Sequence, residues 1–86
     1  MHIYPIGTTS TLNGVSNASD LSGASHVYVA EKSNSIAVVT ITDSEGTIKA
    51  SFGLPGHGML TFSKLKSDKV YASTANTHFT PLGYAN

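Results

Sequence analysis

From Ala24 onward the apolar residues of this chain recur at every second position, the period of a half-buried β-strand. Val27 and Val29 fall on one side of the first run, His26 and Tyr28 on the other. Thr47 to Phe52 alternates likewise, with Ile48, Ala50 and Phe52 predicted inward and Thr47, Lys49 and Ser51 outward. Leu60 and Phe62 form the inward side of the next run, and Val70 and Ala72 that of the following one. His78 to Tyr84 supplies a last strand, interrupted at Pro81. The run Ser35 to Thr42, SIAVVTIT, breaks the rule: it is β-branched and apolar on both faces, as a strand sandwiched between layers is. Turn residues punctuate these runs. Asp43-Ser44-Glu45-Gly46 reads as a hairpin loop with Gly46 free to take positive φ. Leu54-Pro55-Gly56-His57-Gly58 reads as a reversal in which Pro55 presets φ and Gly56 takes the left-handed position of a type II turn.

Before Ala24 the pattern changes. His2 to Ile6 predicts an edge strand, because Pro5 forbids a central one. Gly7 to Ser25 is rich in Ser, Thr, Asn and Gly, with Leu12, Val15 and Leu21 as widely spaced anchors, and reads as a loop or arm. Ser16 or Asn17 can cap one helical turn toward Asp20, and no longer helix fits. A polar segment of this length is commonly disordered in a free monomer. The arm is therefore expected to be held either by a neighbouring subunit or by the domain itself. The prediction is an all-β fold: a small single-domain β-sandwich or barrel of about six to seven short antiparallel strands. Its N-terminal strand and polar arm span residues 1–23 and its β-core residues 24–86.

Composition narrows the function. Eighty-six residues make at most one domain, and a chain this short gains little from its own core. Cysteine is absent, so no disulfide supplements it, and a partner or self-association is the expected support. Only 12% of residues are charged, the formal net charge is zero, and all five basic residues are lysine. With no arginine fork and no basic patch, nucleic acid is not an expected ligand. Low charge instead suits a surface that is partly covered. No window approaches the length of a membrane helix. Met1-His2-Ile3-Tyr4-Pro5 carries neither a charged leader nor an apolar signal core, so synthesis in a cytoplasm without export by that route is expected.

Reactive groups are sparse. His2, His26, His57 and His78 stand far apart; His26 and His78 meet only if their strands pair, and no cysteine completes a zinc site. Gly53, Gly56 and Gly58 precede no helix and no Gly-Lys-Ser/Thr follows, so they make no phosphate cradle. Asp43 and Glu45 supply too few oxygens for a calcium loop. Nothing forms a strained nucleophile turn, so neither catalysis, cofactor nor metal is expected. In Lys64-Leu65-Lys66-Ser67-Asp68-Lys69 the aspartate is expected to accept backbone N–H bonds and shape the turn. The lysines are expected to guard a sheet edge, or to meet acidic groups on a partner.

The stretches ASHVYVAEKSNSIAVVTIT, GTIKASFGLPGHGMLTFSKLKSDKVYAS and THFTPLGYAN together resemble small virion proteins of tailed bacteriophages, marine ones especially. Gly46 stands at the hairpin glycine of that pattern, and Leu54 with Gly56 or Gly58 at the end of its second strand. Lys64 closes the next strand, Ser67-Asp68 forms the turn, and Phe79 to Tyr84 the closing aromatic strand. Lys66 stands where the turn often has proline. The likeness spans roughly residues 24–86. It implies a virion structural protein made in the host cytoplasm: a capsid decoration or cement subunit that binds the major capsid protein in many copies. A small neck, tail or fibre-associated component, or a glycan-binding β-module on a spike, is the alternative; the absence of tryptophan weakens the glycan reading. The resemblance carries no catalytic residue. Tyr4, Leu12, Leu21, Tyr71 and Tyr84 are the candidate interface residues, because large or apolar groups outside the alternating core need cover.

Overall fold

The structure, a computed structural model, describes residues 2–85, and the side chains of residues 3–83. Among the described residues eight strands follow one another: β1 (His2–Pro5), β2 (Ser10–Thr11), β3 (His26–Glu31), β4 (Ala37–Thr42), β5 (Ile48–Leu54), β6 (Met59–Ser63), β7 (Lys69–Ala72) and β8 (Thr77–Ala85). They form two antiparallel sheets. In the larger, β8 lies between β3 and the pair β1 and β2, and β6 closes the far side of β3. The smaller has the order β5-β4-β7. Of the all-β sandwich or barrel expected from the two-residue period, the sandwich forms, with eight strands among the described residues where about six to seven were expected.

Its core takes Val27, Val29 and Phe79 from the larger sheet and Val39, Leu54, Val70 and Ala72 from the smaller. Strand pairing puts these residues on one face: Val39 lies opposite both Phe52 and Ala72, and Val29 opposite both Leu60 and Phe79. Two expectations about cover are met only in part. Along Ser35 to Thr42 the inward residues Ala37 and Val39 are buried, and on the other face Thr40 (7%) and Thr42 (1%) are buried too, but Ile36 is 72% exposed and Val38 is exposed at the start of the run. Strand β5 keeps its alternation from Ala50 to Leu54, yet Ala50 is exposed, and a bulge opposite Ile41/Thr42 takes Ile48 out of register.

The hairpin at Asp43–Gly46 forms as the sequence predicts, with Gly46 at φ 94° and the Asp43 carboxylate accepting from the amides of Glu45 (2.9 Å) and Thr47 (3.0 Å). The reversal after β5 does not. His57, not Gly56, takes the left-handed conformation (φ 57°), in a turn closed by Gly58 N–H on Pro55 O at 2.8 Å. Glycine is required at position 56 for another reason: a Cβ there would lie 2.5 Å from the carbonyl carbon and oxygen of Asn34.

The polar arm is part of the fold. Leu12 O accepts from Ala72 N–H (2.8 Å) and Gly14 N–H donates to Ala72 O (2.9 Å). Ser19 and Val70 exchange both backbone bonds, at 3.2 and 2.9 Å. The arm thus leaves the larger sheet at β2 and runs along the free edge of β7 in the smaller one. One 3₁₀ turn, Val15–Asn17, interrupts it, without a side-chain cap. Leu21 and Ser22 then take left-handed conformations before Gly23. Each such non-glycine residue costs about 1–2 kcal/mol; burying the Leu21 side chain, worth about 1.5–3 kcal/mol, offsets the cost at that residue.

Candidate interaction surface

Three regions gather polar or apolar groups in a way that bears on function. The first is the end of the sandwich where the β3–β4, β5–β6 and β7–β8 loops converge. Glu31 N–H donates to Gly58 O, His57 N–H to Ser33 O and Lys32 N–H to Asn76 O, each at 2.9 Å. The Glu31 carboxylate, 1% exposed, accepts from Thr77 Oγ1 (2.6 Å), from Ser33 N–H (3.2 Å) and from Ser33 Oγ. Burial pushes its pKa up, but the bonds from Ser33, Thr77 and Thr74 together outweigh burial and hold it below the ordinary carboxylate value. A carboxylate so tuned stays charged at neutral pH and has no proton to give. His57 is exposed, and its Nε2 is engaged by Asn34 Oδ1. This end is a structural clasp for three loops.

At the opposite end of β3, an open groove of about 480 Å³ lies between β5 and the β6–β7 turn. Ile41, Ala50, Ser63 and Leu65 line it together with Lys49, Lys64 and Asp68. Asp68 is buried and accepts from Lys49 Nζ (2.9 Å) and Leu65 N–H (3.2 Å), the second bond being the turn-shaping role expected of it. The Lys49 hydrogen bond is the main cause of its lowered pKa; burial opposes it, while the Leu65 amide and the charges of Lys49 and Lys64 reinforce it. Lys64 corrects the expectation of an edge-guarding lysine. It is buried, and its ammonium donates to the carbonyl oxygens of Asp20 (3.0 Å), Leu65 (3.2 Å) and Lys66 (3.4 Å). Burial lowers its pKa, against the pull of Asp20 and Asp68. Lys64 therefore ties the end of the arm to the β6–β7 turn, and the groove's charges are satisfied within the chain.

The third region is apolar. Strands β5 and β6 are the edges of their sheets on one flank, and neither pairs with the other. Phe52 and Phe62 bridge them edge-to-face with ring centroids 5.6 Å apart. On these strands and the turn after β6, Leu60 (43%), Ile48 and Leu65 are exposed, and Met59 (64%) is exposed on the outer face, where the Tyr28 hydroxyl donates to its sulfur at 3.3 Å. Elsewhere, Ile3, Tyr4 and Ile6 are exposed along β1. Tyr4 and Ile6 lie across Gly83 of β8, where a Cβ would come 2.6 Å from Ile6 Cγ2 and 3.4 Å from the Tyr4 ring.

The five interface candidates fare differently. Tyr4 is on the surface, 38% exposed. Leu12 (7%) and Leu21 (6%) belong to the core, which removes the reason for expecting a partner to cover them. Tyr71 is half-buried and packs against the core cluster. Tyr84 pairs with Ile3 through its backbone, and its side chain lies outside the described residues. Strands β3 and β8 do pair, but in a register that sets His78 opposite Ala30 and His26 opposite Leu82, four residues apart along the strand. Among the described residues no three His, Cys, Asp or Glu side chains come together as metal ligands. Met59 and Val38 are surface groups that the alternation itself marks, being apolar at outward positions of their strands, and Ile36 just before β4 has the same parity as Val38.

Comparison with protein-family models, with curated proteins and with solved structures gives no match for this chain.

Proposed function

We propose that this chain is a structural subunit that docks on a larger protein assembly, and that the assembly is a tailed-phage virion in which it decorates the head and contacts the major capsid protein. The observation that carries the reading is where apolar surface remains. Large apolar side chains stay exposed on edge strands (Ile3 and Tyr4 on β1, Met59 and Leu60 on β6) of a neutral, charge-poor domain. The buried ionic groups Glu31, Lys64 and Asp68, in contrast, are satisfied by the chain itself. Such a surface favours protein–protein contact over chemistry. An interface of about 1,200–2,000 Å² in total gives stable docking, and repetition over a shell strengthens weak individual contacts. The likeness of residues 24–86 to small virion proteins supports the choice of assembly.

Quantitative mass spectrometry of purified virions from cells producing this chain is the test. Many copies per particle are expected, and Tyr4→Asp or Ile6→Asp protein is expected to remain folded and fail to load. A chain absent from the particles contradicts the reading.

A further inference from the structure

Edge strands attract other strands, and proteins protect them with charge, proline, bulges or cover. This chain protects its edges unevenly. Residues 12–19 cover the edge of β7, and β1 and β2 occupy that of β8, with Pro5 in β1 itself. Strand β5 has a bulge and a lysine, though Lys49 is turned back onto Asp68 at 2.9 Å. Strand β6, Met-Leu-Thr-Phe-Ser, has no charge, no proline and an unbroken register with β3. The lysine that follows it, Lys64, is folded inward.

We propose that β6 is the dimer seam of this protein: two copies pair antiparallel through β6 about a two-fold axis at Thr61. The seam takes up Met59 and Leu60 of β6 and leaves the exposed β1 residues Ile3 and Tyr4 for contact with a larger assembly. The register is self-complementary. It sets Thr61 opposite its copy, Met59 opposite Ser63, and Leu60 opposite Phe62. Leu60 and Phe62 share the face of Val27 and Val29, so the pair extends the core across the seam and covers the exposed Leu60 edge. Thr–Thr and aliphatic–aromatic cross-strand pairs are both favourable. No charge on β6 meets a like charge, and the formal net charge of zero leaves no long-range repulsion between copies. The same axis turns β5 toward its copy.

Sedimentation equilibrium of the purified chain tests this directly. At micromolar concentrations the wild type is expected at twice its 8.9 kDa mass. Thr61→Lys and Thr61→Glu each set like charges opposite one another and are expected to weaken association roughly tenfold or more. Mixing the two variants is expected to restore a dimer, because Lys then faces Glu. Far-UV circular dichroism and the urea midpoint check that each variant is folded; Ser63→Pro, which removes an N–H pointing away from β3 into the seam, serves if Thr61→Lys is not. A monomeric wild type, a variant that still dimerises, or a mixture that stays monomeric overturns the proposal.

Discussion

The two flanks of this sandwich are built in opposite ways. On one, the backbone itself closes the gap: the arm leaves the larger sheet at β2, bonds to Ala72 and Val70 of β7, and sinks Leu12 and Leu21 into the core. On the other, β5 and β6 end side by side with unpaired edges, bridged by the Phe52–Phe62 contact and flanked by exposed Ile48, Leu60 and Leu65. A chain of 86 residues has enough length to wrap one side of its core. The arm that sequence composition assigns to either a neighbour or the domain serves the domain, while exposed apolar side chains remain on the opposite flank and along β1. Backbone closure and open edges are thus divided between the two sides.

That division is broken most sharply by truncating one side chain on each flank. Leu12→Ala or Leu21→Ala is expected to cost about 2–5 kcal/mol in urea unfolding, while Leu65→Ala on the open flank stays within about 0.5 kcal/mol. Equal losses would mean that the arm is not part of the cooperative unit. Next in size is the loop that joins the two open edges. Gly56→Ala drives a Cβ to 2.5 Å from the Asn34 backbone, so a loss of about 1–3 kcal/mol is expected from the forced backbone shift.

Acid is expected to loosen the sandwich at its ends. Glu31 and Asp68 both have folded pKa values below their ordinary values of 4.5 and 3.8. For a carboxylate shifted down, the stabilisation is fully present above the unfolded pKa and lost as pH falls through the folded one. The urea midpoint should therefore hold steady from neutral pH down to about pH 5 and drop below about pH 4. In Asp68→Asn, which removes the Lys49 ion pair, the drop should be smaller. A midpoint unchanged down to pH 2 would contradict the burial of these two carboxylates as anions. The smallest effect belongs to the seam: Thr61→Lys, at an exposed edge position, should leave monomer stability within about 0.5 kcal/mol. A larger loss would show that β6 is already covered within the monomer.

Strand parity was legible because a period of two needs only neighbouring residues. Val27, Val29, Val70 and Ala72 face the core as the alternation says. Gly46 was legible for a similar reason, a local turn demanding positive φ. Long-range contacts were not. Leu12 in a polar arm reads the same whether it packs on its own domain or on another, and it is decided by a bond to Ala72 sixty residues away. The turn at 55–58 shifted by one residue because Gly56 must pass close to Asn34, which no local rule contains. Ile48 and Ala50 were placed inward by their parity, but they lie at a corner that the other sheet does not cover. Of the surface groups, Tyr4 was legible as an aromatic beside a proline outside the alternating core. Met59, apolar at an outward position of an alternating strand, carries a signal of the same kind.

Amide hydrogen exchange at two protein concentrations tests the division of the flanks most directly. The account predicts that the amides of Gly14, Ser19 and Val70 are protected equally in dilute and concentrated solution, since their partners lie in the same chain. Amides of Met59–Ser63 that point away from β3 should gain protection only when the protein is concentrated. Rapid exchange at Gly14 and Ser19 in dilute solution, or exchange across β6 that ignores concentration, would contradict it.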